Sequence, residues 1–350
     1  MIHKIGNNET SRSLIIFSLP VLFLSLLGSN GANLGTGSVI NALLWFGISL
    51  IMLLSVKFYF SVFGNVNIID SSKKALGSLL SYVVAFVFFG LIFLVMSQML
   101  SLLSEQIQLL TNASLSKNST LWLICLAFGI CSWFGVEAVT RLGYVVLGAS
   151  IAIMVLLVLI LSGGINPDNL YPLVGTNFNS TLTDFSCVGL YCSIAPLLVL
   201  CDGLKEGRAA FGVALKTITT VYVIALVFFV LYAITVPHSL GKVFNASLEA
   251  LFASSSSGEV LHRFEIFLVS LLIFVSVTAL SVGTTACAFI LARTTGISDT
   301  KPFILVLSPL VGYAGQFLAG VFEPLCAALA IVSLFVPLAV GLVQKIRCRS

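Results

Sequence analysis

Residues 266–291 have the sequence IFLVSLLIFVSVTALSVGTTACAFIL, a continuous apolar run without Asp, Glu, Lys, Arg or His. The run exceeds the roughly 20 residues that an α-helix needs to cross the hydrocarbon core of a bilayer. Its apolar residues do not alternate with polar ones, as they do in the strands of a membrane barrel. The stretch therefore predicts a membrane-spanning helix and indicates the class of the whole fold.

The rest of the chain repeats this pattern. Hydrophobic residues make up 59% of the 350 residues and charged residues only 9%, and the mean hydropathy is +1.13. Soluble domains carry about 25% charged residues. We predict an all-α integral membrane protein, a single transmembrane domain over residues 1–350. Its ten spans are predicted near residues 13–29, 38–56, 80–103, 120–136, 144–162, 187–201, 217–235, 266–291, 303–321 and 325–343.

The basic residues between the spans predict the orientation. With the N-terminus inside, 14 of the 17 Lys and Arg residues fall in cytoplasmic segments, and only Lys117, Lys242 and Arg263 fall outside. Cytoplasmic loops of membrane proteins carry this excess of basic residues. The pattern predicts a multi-pass cell-membrane protein with both termini in the cytoplasm.

Enzyme chemistry is not indicated. The three histidines, His3, His238 and His262, lie in separate predicted loops, and the eight cysteines include no CxxC pair and no Cys/His grouping at metal spacing. No Gly-rich phosphate loop or pair of spaced carboxylates is found. We expect no catalytic residue, metal or cofactor, and no nucleic-acid partner.

Helix interruptions are the clearest functional signal. Span one ends in residues 24–31, LSLLGSNG, shortly after Pro20, and span six begins with residues 187–196, CVGLYCSIAP. Two halves of five spans, about 11–162 and 183–343, make spans one and six equivalent. Interrupted helices at matching positions of inverted repeats indicate a transporter-type site, because an unwound backbone offers N–H and C=O groups to a ligand. The alternative is that Gly and Pro serve close helix packing.

The interruptions predict a site for a small zwitterionic or polar nutrient between spans one, three, six and eight. A ligand carboxylate would lie against unpaired N–H groups near Ser25 and Gly28. Pockets combine apolar surface with a few polar groups. The candidate ligand-binding residues are Ser25, Gly28, Ser29, Tyr82, Phe86, Tyr191, Ser193 and Ser276. We expect enlargement of Gly28 or Ser193 to abolish the ligand response, and enlargement of Gly143 or Gly312 to be tolerated.

Charged residues beside the spans have simpler interpretations. Glu137 and Arg141 are four residues apart, so on a helix they share one face and can pair. Arg263 and Glu265 are two apart and would not face each other. A mixed-charge loop after span six is interpreted as a solvated turn, with a surface for a cytoplasmic partner as the alternative. It contains Asp202, Lys205, Glu206 and Arg208.

Two blocks of sequence resemble the spore germination permease family, which supplies the B subunit of bacterial spore germinant receptors. The first is Gly135–Gly143, GVEAVTRLG, followed by an apolar span and Ile165–Leu173, INPDNLYPL. The second is Leu261–Val269, LHRFEIFLV, with Arg263 and Glu265 ahead of a long apolar helix. The order and length of the spans agree from about residue 11 to residue 343.

The resemblance implies the fold of amino acid, polyamine and organocation transporters, with ten helices in two inverted repeats and with helices one and six broken around the ligand. It also implies a nutrient sensor in the spore inner membrane, beside a larger subunit with cytoplasmic domains and a lipoprotein. The sequence departs from the family at two positions. Early in span six, where the family has an acidic residue, this chain has Leu190. Near Glu265, where the family has another acidic residue, this chain has His262. The first departure puts the ligand class and ion coupling in doubt.

Three functions fit these observations. The chain is a ligand-binding receptor subunit, a free-standing transporter of amino acids or other small nutrients, or a structural scaffold. The absence of carboxylates within the spans favours the first, because proton-coupled carriers usually bury an ionisable residue. Sodium coupling stays open, since Ser276, Thr278 and Ser281 offer oxygen ligands, although such hydroxyls more often bond to their own helix.

Overall fold

The structure, a computed structural model, describes residues 6–27, 36–111, 116–161, 166, 169, 186–204, 209–236, 258–317 and 321–348. Within these ranges the side chains of residues 25–27, 36, 38, 109–111, 157, 160, 161, 186–188 and 258–268 are not described.

Helices dominate the described residues. The α-helices are α1 (Asn7–Leu27), α2 (Thr36–Phe63), α3 (Ile68–Leu76), α4 (Ser78–Thr111), α5 (Lys117–Trp133), α6 (Val136–Leu161), α7 (Ile194–Leu200), α8 (Ala210–Thr235), α9 (Gly258–Thr295), α10 (Lys301–Phe317) and α11 (Phe322–Arg347). Two 3₁₀ segments, Ser186–Ser193 and Cys201–Gly203, flank α7. Within the described ranges each predicted span overlaps a helix, and span six overlaps α7 with its flanking 3₁₀ turns.

Six of the described helices are long and apolar enough to cross a membrane. They are α2, α4, α6, α8, α9 and α11. Their outer surfaces carry exposed apolar side chains such as Ile51, Phe86 and Val145. Such a surface suits lipid, because hydrocarbon chains replace water as the solvent there. The prediction of a helical membrane protein is confirmed, while the count of ten crossings and the inverted repeat stay predictions.

Helix α9 lies at the centre of the bundle. Of its apolar membrane stretch 89% is buried, against 33% for α4 and 39% for α2. It packs against α1, α4, α5, α6 and α10. A helix that is apolar on all sides can be surrounded either by other helices or by lipid, and the burial of α9 shows that other helices surround it. Residues 269–292 therefore form the core around which the other elements are arranged.

Helix α3 is a short element between spans two and three that the pattern of apolar spans did not predict. Asn67 caps its first turn, since the Asn67 side chain accepts a hydrogen bond from the Asp70 N–H at 2.7 Å. Such caps satisfy helix N–H groups that otherwise lack a partner. Ile68 and Ile69 are buried, and Gly77 ends the helix with a φ of 91° that favours glycine. The helix packs against α4 and α11.

Candidate functional site

The first half of span six is a 3₁₀ segment, not an α-helix. Residues Ser186–Ser193 adopt this tighter winding and are followed by α7, in which Pro196 is the third residue. Stretches of 3₁₀ helix longer than three or four residues are uncommon, because their hydrogen bonds have poorer geometry. The interruption predicted at residues 187–196 is therefore present, although it takes the form of a change in winding.

Helix α1 lies directly against this segment. The Ser18 hydroxyl donates a hydrogen bond to the Leu190 carbonyl at 3.1 Å, and both residues are buried. A Cβ atom built on Gly189 would lie 2.9 Å from Val21 Cγ1 and 3.0 Å from Cys326 Cβ. Only glycine permits this close approach. The predicted meeting of spans one and six is present in the structure.

Several buried polar atoms near the core have no hydrogen-bond partner among the described residues. They are the hydroxyls of Tyr191, Ser193, Ser276 and Tyr232, both amide atoms of Gln98 and Oε1 of Gln106. Buried polar groups are paired in the great majority of cases, and an unpaired one costs about 1–3 kcal/mol. Such atoms point to ligands or water that complete their bonding.

Three predicted site residues belong to this set. Tyr191, Ser193 and Ser276 are each no more than 1% exposed, and they lie on span six and α9. Gln98 of α4 joins them as a residue that the sequence did not single out, with none of its surface exposed. An amide offers both donor and acceptor atoms. Since α4 packs on α9, and α9 and span six both contact α1, the four residues lie on elements that meet in the core.

The structure does not place Tyr82 and Phe86 at the site predicted for them. Tyr82 is 56% exposed and Phe86 is 75% exposed, on the outer surface of α4. Residues four apart share a helix face, and the opposite face of α4 carries the buried Ala85, Phe88 and Ile92. Tyr82 and Phe86 therefore face the surroundings of the bundle, and they are not part of the candidate site.

The remaining predicted residues are only partly described. Gly28 and Ser29 lie outside the described residues, and Ser25 belongs to α1 but its side chain is not described. Arg263 and Glu265 lie on the first turns of α9, where side chains are likewise not described. Their proposed roles stay predictions.

The Glu137–Arg141 pair is confirmed as an ion pair on one helix face. Arg141 Nη2 lies 2.6 Å from Glu137 Oε1 at the start of α6. Both side chains are substantially exposed, at 69% for Arg141 and 43% for Glu137. Exposed pairs at this spacing contribute about 0.3–0.5 kcal/mol. The pair therefore lies at the surface of the bundle, and we assign it no role in holding a buried ligand.

The hydroxyls considered as sodium ligands behave differently from one another. Thr278 donates to the carbonyl of Phe274 and Ser281 to that of Val277, both at 2.8 Å within α9. These two hydroxyls follow the common pattern of bonding to their own helix. Ser276 alone of the three has no partner in the described structure.

Asp202 is a charged residue whose environment the sequence did not predict. Its carboxylate accepts a hydrogen bond from the Asn67 N–H at 2.7 Å and another from the Asn67 side-chain amide. Arg293 bridges Asp202, at 3.3 Å, and Asp70, at 3.2 Å. These contacts join span six, α3 and the end of α9, so Asp202 is not in a solvated turn. Lys205, Glu206 and Arg208 of the same predicted turn lie outside the described residues.

Burial raises the pKa of the Asp202 carboxyl, one residue beyond predicted span six, above its ordinary value. The hydrogen bonds from Asn67 and the charge of Arg293 act in the opposite direction and favour the carboxylate. A partly buried carboxylate is tolerated when it is paired in this way. We call the group formed by Asp202, Asn67, Asp70 and Arg293 the interlock.

A cavity of about 870 Å³ opens beside the interlock. Its wall includes Asp70, Glu137, Arg293 and Lys301, with Leu200 and Gly203 from the end of span six. A smaller pocket between α1, α6, α7 and α9 shares Val136, Leu200 and Gly203 with it, and its wall adds Thr10, Ser13, Thr140 and Thr285. The cavity therefore lies at the charged end of the bundle, where span six ends.

Comparison with solved structures shows the fold. The chain resembles MhsT in complex with L-phenylalanine, with a TM-score of 0.66 and 13% identity over 95% of this chain and 88% of that one. It also resembles Mhp1, a nucleobase-cation-symport-1 family transporter in a closed conformation with bromovinylhydantoin bound. There the TM-score is 0.63 and the identity 12%, over 95% of this chain and 76% of that one.

Sequence comparison gives the family. Among curated proteins, none matches this sequence at a significant level. The family described as spore germination protein, a family of permeases, matches residues 5–318. That range includes span one, the segment with Tyr191 and Ser193, and the whole of α9. The resemblance noted from Gly135–Gly143 and Leu261–Val269 is thereby confirmed, and the chain belongs to the spore germination protein family.

Proposed function

We propose that this chain is the membrane-embedded, nutrient-sensing subunit of a spore germinant receptor, and that it binds its ligand where α1, α4, span six and α9 meet. The observation that supports this position is the set of unpaired buried polar groups on Gln98, Tyr191, Ser193 and Ser276. Each unpaired group carries a free-energy cost in the unliganded protein. A polar ligand that bonds to these groups would remove that cost.

The proposed ligand is a small zwitterion such as an amino acid. Its carboxylate would lie against backbone N–H groups near Ser25 and Gly28, because no Lys or Arg occurs within the predicted spans. Its ammonium group would donate to the Tyr191 or Ser193 hydroxyl and to Gln98 Oε1. Of the two similar structures, MhsT is in complex with L-phenylalanine, which is itself an amino acid, and Mhp1 has bromovinylhydantoin bound.

The proposed architecture has ten membrane spans in two inverted repeats, with both termini in the cytoplasm. The concentration of basic residues on one side supports this orientation. It places the interlock, the charged cavity and the Glu137–Arg141 pair on the cytoplasmic side. Membership of the family supports the spore inner membrane as the location, with a larger membrane subunit and a lipoprotein as partners.

A second candidate function is transport of the same class of nutrient. The 870 Å³ cavity favours it, because the cavity extends from the charged rim to Leu200 and Gly203 at the end of span six. A sensor that never releases its ligand to the cytoplasm has no need of such a cavity. A carrier needs an exit path on that side.

Reconstitution of the chain alone separates the two functions. Purified protein in liposomes is incubated with radiolabelled amino acids, with and without a sodium or proton gradient. The receptor function predicts saturable binding without accumulation in the lumen under either gradient. Accumulation driven by one of the gradients would instead assign the chain to the transporters, and the absence of any binding would contradict both functions.

A further inference from the structure

An apolar groove runs along the outer surface of the bundle between α5 and α10. Its volume is about 330 Å³, and its wall includes Leu126, Gly129, Ile130, Trp133, Leu305 and Ser308. Leu126, Ile130 and Leu305 are each more than half exposed. The groove therefore opens towards the lipid and not into the core.

Small residues create the floor of the groove. A Cβ atom built on Gly129 would lie 2.9 Å from Ser308 Oγ, so the two helices approach closely at this level. Small residues allow such close approach between helices in membranes. The larger side chains of Leu126 and Ile130 from α5 and of Leu305 from α10 form the two sides of the groove.

A cation lies at one end of the groove. Lys301 Nζ is 5.8 Å from the centre of the Trp133 ring, and Trp133 and Phe134 line the groove at that end. Tryptophan is enriched at the level of lipid headgroups. The apolar part of the groove can therefore hold an acyl chain, and the ammonium group beside Trp133 can bind the anionic headgroup joined to that chain.

The ammonium group of Lys301 is available for such a headgroup. The nearby carboxylate of Glu137 is paired with Arg141 at 2.6 Å, and Asp70 is paired with Arg293 at 3.2 Å. Asp299 accepts a hydrogen bond from the Lys301 backbone N–H, not from its ammonium. In the described part of the chain, no carboxylate lies within ion-pair distance of Lys301 Nζ.

We infer that the α5–α10 groove is a binding site for an anionic phospholipid, with an acyl chain on Gly129 and Ser308 and the headgroup phosphate at Lys301. Basic residues at the edge of grooves between helices bind anionic headgroups in this manner. Lys301 and Phe134 also line the 870 Å³ cavity, but the groove contains none of the residues of the proposed nutrient site, and the lipid site does not depend on that function.

Native mass spectrometry of the full chain tests this inference. Wild-type protein and variants are extracted from vesicles that contain equal amounts of phosphatidylglycerol and phosphatidylcholine, and the retained lipids are counted. Lys301→Gln is expected to lower the ratio of retained phosphatidylglycerol to phosphatidylcholine about fivefold. Lys345→Gln is the matched control, since Lys345 Nζ also lies near a ring, 5.4 Å from that of Phe58, but not beside this groove.

A second pair of variants tests the apolar part. Ile130→Trp fills the groove and is expected to reduce the retained phosphatidylglycerol. Ile51→Trp, at a residue 67% exposed on α2, is expected to leave it unchanged. The inference is overturned if Lys301→Gln leaves the ratio unaltered, if Lys345→Gln lowers it equally, or if the two tryptophan variants behave alike.

Discussion

The hydroxyl of Ser18 on α1 and the carbonyl of Leu190 in the 3₁₀ segment are joined by a hydrogen bond of 3.1 Å, although 172 residues separate them in the chain. The carbonyl belongs to the 3₁₀ segment of span six, and the hydroxyl belongs to the neighbouring helix α1. This bond fixes span six against span one beside Tyr191. Among the described residues, this bond links span six to span one.

Replacement of Ser18 by Ala is expected to destabilise the protein by about 1–3 kcal/mol, because it removes the donor from a buried carbonyl. Ser55→Ala is the matched control, since Ser55 is buried in α2 and donates to the Met52 carbonyl at 2.7 Å. Thermal unfolding in detergent should show a lower midpoint for Ser18→Ala than for Ser55→Ala. Equal midpoints would show that the bond to Leu190 has no special importance.

Replacement of Gly189 by Ala is expected to push the 3₁₀ segment away from α1, since the new Cβ would lie 2.9 Å from Val21 Cγ1. The amount of folded protein should fall, as measured by fluorescence-detected size exclusion. Gly148→Ala and Gly212→Ala are controls, because at either position the added carbon would lie within 4 Å of no atom beyond its own stretch of helix. A normal amount of folded Gly189→Ala protein would contradict the close packing.

Gly143 and Gly312, which the sequence predicts to tolerate enlargement, are not suitable controls. A Cβ on Gly312 would lie 2.5 Å from Cys125 Sγ, and one on Gly143 would lie 3.0 Å from Ser13 Cα. Both are helix-packing glycines, so enlargement at either is expected to reduce folding. The sequence does not show this, because the neighbours come from other helices.

In the interlock, Asp202→Ala is expected to destabilise the protein by about 1–3 kcal/mol, because it leaves the Asn67 N–H and the Arg293 guanidinium without this partner. Asp202→Asn should cost less, since its amide oxygen still accepts from Asn67. Lys74→Ala, at an exposed residue of α3, is the control. Unfolding midpoints of the three variants provide the measurement. The role of the interlock would be refuted if Asp202→Ala unfolded at the wild-type midpoint.

The orientation is tested by thiol labelling with a reagent that does not cross membranes. Cys348 is exposed, so the background variant carries Cys348→Ser. A cysteine at Lys117 should be labelled from outside intact cells, and one at Lys73 only after permeabilisation. Labelling at position 73 in intact cells would reverse the proposed topology.

Helix positions were predictable because a bilayer requires about 20 apolar residues in each crossing. Helix α3 was missed because its nine residues include Lys73 and Lys74 and do not form such a run. Tyr82 and Phe86 were assigned to the wrong face because α4 is apolar on all sides, so its sequence does not indicate which side is buried. Asp202 was missed because its partners Asn67 and Arg293 are 135 and 91 residues away.

The central claim is that unpaired polar groups beside α9 bind a small zwitterion, and calorimetric titration of amino acids into the chain in lipid nanodiscs tests it most directly. The account predicts that one amino acid binds and that Ser276→Ala weakens binding about tenfold without lowering thermal stability, because Ser276 Oγ has no partner in the described structure. Ser333→Ala, at a buried serine bonded to the Leu329 carbonyl, should leave the affinity unchanged. Equal affinities for wild type and Ser276→Ala, or no binding of any amino acid, would contradict the claim.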